Sequence, residues 1–361
     1  MSRPVVAYIN LAHLRHNYRL LTQHAGTARL MAVIKADAYG HSLQLIAPAL
    51  LGEGCRSFAV THAQEGEALR GIIGAEADIT LLSGIFDAEG AELCQLHRLT
   101  PTLTEISQVD LLHKAGFTAQ TWIKVNTGMN RLGTKNAPGL YAALKAAGIG
   151  IAGLMSHLAC ADEPGHTLNA LQLERFKHIA ATLPSGTPES LLNSAGMVTM
   201  PAHSFDVVRP GIALYGAEPV ASMPLGLKPV MSLCGTVIQL RNIAAGESVS
   251  YGASYTAPRD MQIATVSTGY ADGLPRLLSN LGSAACLGAC VTNTTTAILP
   301  IVGRVCMDYC LLDASQCDIE TGDEVEFWGN HLPATQVADT VGSIAYELFT
   351  GVSSRVARQS I

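Results

Sequence analysis

Eight short apolar runs, separated mostly by stretches with helical spacing, fill the first two-thirds of this 361-residue chain. They fall at 30–34, 57–60, 78–82, 99–103, 121–125, 150–155, 190–192 and 205–208. Helical spacing is clearest at 62–72, 138–147 and 171–181. Short apolar runs bounded by turn residues read as buried strands. Eight β-then-α units in succession suggest a closed (β/α)8 barrel. An open doubly wound sheet is the competitor. It calls for fewer strands and a G-x-G-x-x-G turn after the first one, and no such turn follows residue 34.

The pattern changes after about Pro229. Runs at 232–240, 263–267, 297–302, 309–312 and 324–328 are strand-like and are separated by Gly, Pro, Asn and Asp. Only 335–349 reads clearly as a helix. A smaller, mostly β domain is expected there. Pro224, Gly226 and Pro229 punctuate the junction. The expected division is a barrel over 1–228 and a β domain over 229–361.

Composition narrows the partners. Net charge is −6, charged residues are 14% of the chain, and no basic cluster stands out, so nucleic acid is not an expected partner. No apolar run approaches a membrane span. The start, Met1 to Asn10, has no signal-peptide core or cleavage site, which makes the cytoplasm the expected compartment. With 48% hydrophobic residues and a lightly charged surface, the chain is consistent with an oligomer. The nine cysteines read as buried thiols. Cys286/Cys290 and Cys306/Cys310 have a spacing that zinc can use, and Cys306, Asp308 and Cys310 alternate as on one strand face. No ligating histidine lies near them and a closed site needs four ligands, so no metal is expected.

The residue with the strongest chemical implication is Lys35. It ends the first apolar run, and the small, Gly-containing turn after it carries Tyr39. A lysine at a strand end often packs its stem and sends its ammonium to water. One that is desolvated instead loses basicity and becomes a nucleophile able to form a Schiff base with a carbonyl compound. In a barrel, chemistry sits at the C-terminal ends of the strands. Polar residues gather at the ends of other expected strands as well. Lys124 precedes Asn126-Thr-Gly-Met-Asn-Arg131, Ser156-His157 ends the sixth run, Asn193-Ser194-Ala-Gly196 follows the seventh, and Arg209-Pro-Gly211-Ile212 follows the eighth. Alone, His157 reads as a hydrogen-bonded core histidine and Arg209 as a structural ion pair. Five strand ends converging on one mouth read as a site.

Ala-Val-Ile-Lys-Ala-Asp-Ala-Tyr-Gly-His around Lys35 resembles the cofactor-lysine motif of alanine racemases. The resemblance runs over nearly the whole chain. It includes Lys-Val-Asn-Thr-Gly-Met-Asn-Arg-Leu-Gly, Asn-Ser-Ala-Gly, Val-Arg-Pro-Gly-Ile-Ala-Leu-Tyr-Gly, Val-Ser-Tyr-Gly-Ala-Ser-Tyr-Thr-Ala, Gly-Tyr-Ala-Asp-Gly and Val-Gly-Arg-Val-Cys-Met-Asp. It implies a pyridoxal 5'-phosphate enzyme that interconverts L- and D-alanine, with a side activity on serine. It also implies a barrel paired with a β domain, and a homodimer whose sites borrow residues from the partner copy. Supplying D-alanine for peptidoglycan is the family role.

The implied roles follow the motifs. Lys35 holds the cofactor and serves as one base, and Tyr251 of the second copy serves as the other. Racemisation needs both, because one group removes a proton from one face of the α-carbon and the other returns it to the opposite face. Tyr39, Ser194, Gly211 and Ile212 hold the phosphate. Arg209 faces the pyridine nitrogen, and His157 stands with it behind Tyr251. Arg131, Met307 and Asp308 bind substrate. Lys124, which many relatives carbamylate, orients Arg131. Asn193, Tyr270, Arg276 and Ser354 support the site. Ser354 stands where many relatives have a tyrosine that narrows the pocket, so strict selectivity for alanine is not expected. Two alternatives differ in kind: a serine-preferring racemase, and a barrel that binds pyridoxal phosphate without catalysis. Decarboxylases on this architecture want a carboxylate at the pyridine nitrogen, and Arg209 argues against that.

Overall fold

The computed structural model describes residues 4–287 and 297–361. The chain divides into two units. One holds Leu14–Ala38 and Ser42–Leu227, and the other holds Met1–His13, Tyr39–His41 and Lys228–Ile361.

The first unit is the barrel. Strands Ala32–Val33, Ser57–Val60, Asp78–Leu81, Thr100–Leu103, Gln120–Lys124, Gly150–Met155 and Glu189–Ser190 lie side by side in that order, all parallel. Val207–Val208 closes the ring by pairing parallel with Arg29–Leu30. On its other side the Asp206 N–H donates to the Glu189 carbonyl (3.1 Å) and the Arg209 N–H to the Leu192 carbonyl (3.0 Å). The run expected at 30–34 is therefore shared between two neighbours. Arg29–Leu30 pairs with Val207–Val208, and Ala32–Val33 pairs with Phe58 and Ala59. Barrel strands tilt against the axis and stagger their register, so a short strand can change partner along its length.

Helices Ala63–Ile73, Ala137–Ala146 and Thr167–Ala180 lie within a few residues of the expected spans. The second starts where Asn136 Oδ1 accepts the Gly139 N–H at 2.9 Å, a side-chain cap for an otherwise unmet donor. Trp122, Phe58, Phe117 and Phe176 are fully buried. Gly153 lets the sixth strand close on Trp122. Its φ is +155°, and a Cβ there would meet the Pro188 carbonyl oxygen at 2.4 Å and the indole ring at 2.5 Å.

The second unit is built on Met231–Ile243, a strand of 13 residues. It pairs antiparallel with Glu324–Trp328, with Met261–Val266 and with Val5–Ile9. Val5–Ile9 pairs in turn, parallel, with Ala357–Ser360. The N-terminal strand thus sits in the β unit, whereas the expected division counted everything before 229 with the barrel. Alternate burial of Val5, Ala7 and Ile9 explains the choice, because a two-residue period suits a sheet with one covered face. The Tyr8 hydroxyl, on the other face, donates to Glu324 (2.8 Å).

The single helix expected over 335–349 is two, Ala334–Thr340 and Ala345–Gly351. Gly342, at φ +67°, ends the first in a left-handed turn that a continuous helix cannot contain. The strand expected at 309–312 is Cys310–Asp313, so Cys306 and Asp308 belong to the preceding loop rather than to a strand face. Cys290 lies outside the described residues. Most other cysteines are free thiols, and Cys317 is disulfide-bonded. No described helix is long and apolar enough to cross a membrane.

Candidate active site

Lys35 follows the first barrel strand. The four residues after it, Ala36 to Tyr39, all have φ between +52° and +55°. A left-handed turn of non-glycine residues costs about 1–2 kcal/mol per residue, because each Cβ crowds the following carbonyl. The turn redirects the chain at once after the lysine. Burial pushes the Lys35 amine down in pKa, Arg131 pushes it the same way, and Glu65 opposes them. Of the two readings open to a strand-end lysine, a solvated ammonium or a desolvated amine, this is the second.

The same bias runs through the barrel mouth. Lys124 is buried and is pushed down to about 8, by desolvation first and then by Arg209, Arg131 and Lys35. Its Nζ donates to the Leu82 carbonyl at 3.0 Å. Desolvation and the charges of Arg209, Lys124, Arg131 and Lys35 hold His157 well below the ordinary histidine range. Lys124, Arg131, Ser156 and His157 line one small cavity. Arg209 is buried, and desolvation pushes it down to about 10. Its guanidinium donates to the Ser190 hydroxyl and to the Ser156 and Leu191 carbonyls. All three acceptors are neutral, so the positive charge is oriented without being cancelled.

Asn193 and Ser194 divide their work. Asn193 Oδ1 accepts the Gly196 N–H (2.9 Å) and caps the short helix Ser194–Thr199. Ser194 Oγ accepts the Gly211 N–H (2.9 Å) and, more weakly, the Ala213 N–H (3.4 Å). With both lone pairs engaged, the Ser194 proton is directed to a further acceptor. Ile212 opens the helical turn Ile212–Tyr215 and is buried.

Gln172 was not singled out from sequence. From the outer helix, its Nε2 donates to Thr127 Oγ1 (3.0 Å) and to the His157 carbonyl (2.9 Å), and its Oε1 accepts the Ala159 N–H (2.9 Å). It ties the Arg131 loop to the His157 strand end. Glu65 was missed too, and only its place in the first turn of a helix marked it. Neither residue belongs to a motif, because each acts through contacts distant in sequence.

The remaining expected site residues lie in the β unit. Tyr39, four residues from Lys35 in sequence, packs its ring 5.9 Å from that of Tyr346. Burial pushes its phenol above the ordinary tyrosine range. Gly40 fits beneath the Phe349 carbonyl, where a Cβ would approach to 2.2 Å. Elsewhere in this unit the segments bearing Tyr251, Tyr270, Met307 and Asp308 are cross-braced. Ser250 Oγ donates to the Arg304 carbonyl (2.7 Å), and the Tyr270 and Ala271 N–H groups donate to the Cys306 and Met307 carbonyls (both 3.0 Å). Arg355 bridges Asp308 and the buried Asp272, at 2.8 Å to each. The backbone is fixed while the side chains stand out: Tyr251 is 70% exposed, and Tyr270, Met307 and Arg276 are exposed as well. Ser354 is exposed in the turn before Ala357–Ser360.

A parallel barrel with a desolvated lysine among other cations at its strand ends has the donor set of an enzyme that handles an anionic carbonyl cofactor. Comparison with known proteins is specific. The family described as "Alanine racemase, N-terminal domain" matches residues 9–219, and "Alanine racemase, C-terminal domain" matches 230–360. An alanine racemase of Stutzerimonas stutzeri is 42% identical, covering 99% of both chains. The solved biosynthetic alanine racemase of Pseudomonas aeruginosa superposes with a TM-score of 0.88 at 38% identity, covering 99% of each chain. That of Bartonella henselae, with covalently bound pyridoxal phosphate, gives 0.89 at 34% identity over the same share of each chain. The chain belongs to the alanine racemase family.

Proposed function

We propose that this chain is a cytoplasmic, homodimeric alanine racemase that uses pyridoxal 5'-phosphate to interconvert L- and D-alanine. The observation that carries the reading is the Lys35 amine, desolvated and opposed by Arg131, at the C-terminal end of the first barrel strand. The donor set fits the cofactor. Lys35 offers the amine for its carbonyl, Ser194 offers a hydroxyl for its phosphate, and the cations of the mouth offset its charge. Bound there, pyridoxal phosphate supplies the electron sink that acidifies the amino acid's α-carbon.

The protein's own groups then move the proton. Lys35 Nζ, its basicity lowered by burial, takes or returns it on one face. In this reading Tyr251 Oη from a second copy works on the other face. The support for a second copy is that Tyr251, Tyr270 and Met307 are exposed on a braced backbone. Arg131 receives the substrate carboxylate, with Lys124 beside it. Arg209 would face the pyridine nitrogen of the bound cofactor, and a guanidinium does not readily give up its proton.

A chiral assay tests the reading. Purified, cofactor-loaded protein should convert L-alanine to D-alanine, and Lys35→Ala should abolish the conversion. No D-alanine from the wild type would end the proposal. Mixing Lys35→Ala with Tyr251→Phe subunits should restore part of the activity, because one site of a hybrid dimer holds both intact bases. No recovery from mixed subunits that have re-paired would remove the shared site.

A further inference from the structure

Packing holds only the second half of the left-handed turn after Lys35: Ala38 and Tyr39 are buried, whereas Ala36 and Asp37 are exposed. Such a conformation persists only where its surroundings over-determine it. Hydrogen bonds supply the constraint. The Ala38 N–H donates to the Ile34 carbonyl (3.0 Å), and Asp37 receives the Ser42 N–H on its carbonyl (3.1 Å) and the Leu43 N–H on its side chain (2.7 Å). At Ala36 the partner is Glu65, in the first turn of Ala63–Ile73. Its Oε1 accepts the Ala36 N–H and its Oε2 the Thr61 N–H, both at 2.7 Å. One carboxylate therefore links the chain leaving the first barrel strand to the chain leaving the second. It also raises the Lys35 amine in pKa, against burial and Arg131; Lys35 shares the mouth with the cations Lys124, Arg131 and Arg209.

We propose that Glu65 is a positioning residue for Lys35: it fixes the turn that aims the amine and sets one negative charge beside an otherwise cationic mouth. The proposal rests on the reading of Lys35 as a base, so its test begins on the apoprotein, where no turnover is needed. Acetylation of Lys35 by acetic anhydride, followed across pH by mass spectrometry, reads the amine directly. Glu65→Gln keeps the size but loses the charge and one acceptor. Its labelling midpoint should fall by about half a unit to one unit. Glu65→Asp keeps the charge and should restore most of that midpoint. In the loaded enzyme, Glu65→Gln should lower kcat for alanine roughly tenfold to a hundredfold, with a smaller change in KM.

An unchanged midpoint and kcat in Glu65→Gln would overturn the proposal. So would a loss of thermal stability with neither quantity moved, which marks a brace with no bearing on Lys35. Wild-type protein gives a check independent of any variant: the Ala36 and Thr61 amides should be protected from hydrogen exchange, and unprotected exchange at either refutes the clamp. If the wild type makes no D-alanine while labelling behaves as described, the functional reading fails and the placement of Glu65 stands.

Discussion

The barrel mouth and the Tyr251 surface of the β unit are built in opposite ways. In the mouth, the charged groups are enclosed and their neighbours set their protonation. Lys124 and Arg209 are buried, and each shifts or orients the groups around it. On the Tyr251 surface the backbone is pinned by Ser250, Cys306 and Arg355, yet the side chains face outward. One region is a finished electrostatic environment, and the other is a rigid mount whose environment is supplied by whatever it meets. The difference separates two kinds of mutational effect, since changes in the mouth should act on stability and pH response together, whereas changes at the mount should act on rate alone.

Tyr251→Phe gives the largest contrast. Removing a positioned acid–base group should lower kcat by roughly 10²–10⁴. Thermal stability should stay nearly unchanged, because phenylalanine keeps the ring and only the hydroxyl is lost. Steady-state kinetics and a melting curve on the same preparation check both halves. A melting temperature several degrees lower would break the contrast.

Lys124 tests the other side. Its folded pKa of about 8 lies below the unfolded value, so between about 8 and 10.5 the unfolded chain binds more protons than the folded one. Stability from this group therefore rises with pH across that window, and below it the buried ammonium is a penalty. At about 1.4 kcal/mol per pKa unit the swing is bounded near ~3 kcal/mol. Denaturant melts of the apoprotein in bicarbonate-free buffer, at pH 7 and pH 9.5, should show wild type gaining on Lys124→Met. Equal gains in both would mean that the mouth does not hold this lysine as described.

Ser354→Tyr should give the smallest effect. The wild type should racemise serine measurably but more slowly than alanine. The substitution should depress serine turnover more than alanine turnover, by about 1–3 kcal/mol of selectivity at most. Ratios of kcat/KM for the two amino acids decide it. An equal fall in both would place Ser354 away from the substrate.

The strand–helix alternation was legible because most barrel strands are short apolar runs with a helix after them, the exceptions being Glu189–Ser190, which is polar, and Val207–Val208, which is followed by a short helical turn. The first strand's change of partner was not, since register depends on ring closure rather than on residues 30–34 themselves. Val5–Ile9 is apolar throughout and alternates only in burial, and it pairs with residues far away in sequence, so nothing local assigns it to a unit. At the site, Lys35, Lys124, His157 and Arg209 stood out as polar residues ending apolar runs. Glu65 and Gln172 did not, because a helical carboxylate or amide looks like any solvated position until the fold sets a backbone amide against it. The break at Gly342 was readable in principle as a helix-ending glycine, and the apolar spacing on both sides hid it.

The place of Val5–Ile9 between Met231–Ile243 and Ala357–Ser360 also governs the order in which the protein can be made. Val6 leaves the ribosome about 350 residues before its partner Ala357. At about 5–20 residues per second that is a wait of roughly 20–70 s. The ring from Arg29 to Val208 has all its strands by the time Val208 emerges, while the amino-terminal ribbon still lacks both neighbours. An apolar strand with two open edges is a template for unwanted pairing. During synthesis the hazard therefore lies at Val5–Ile9, and a holdase acting early should raise the yield of folded protein more than one acting after release.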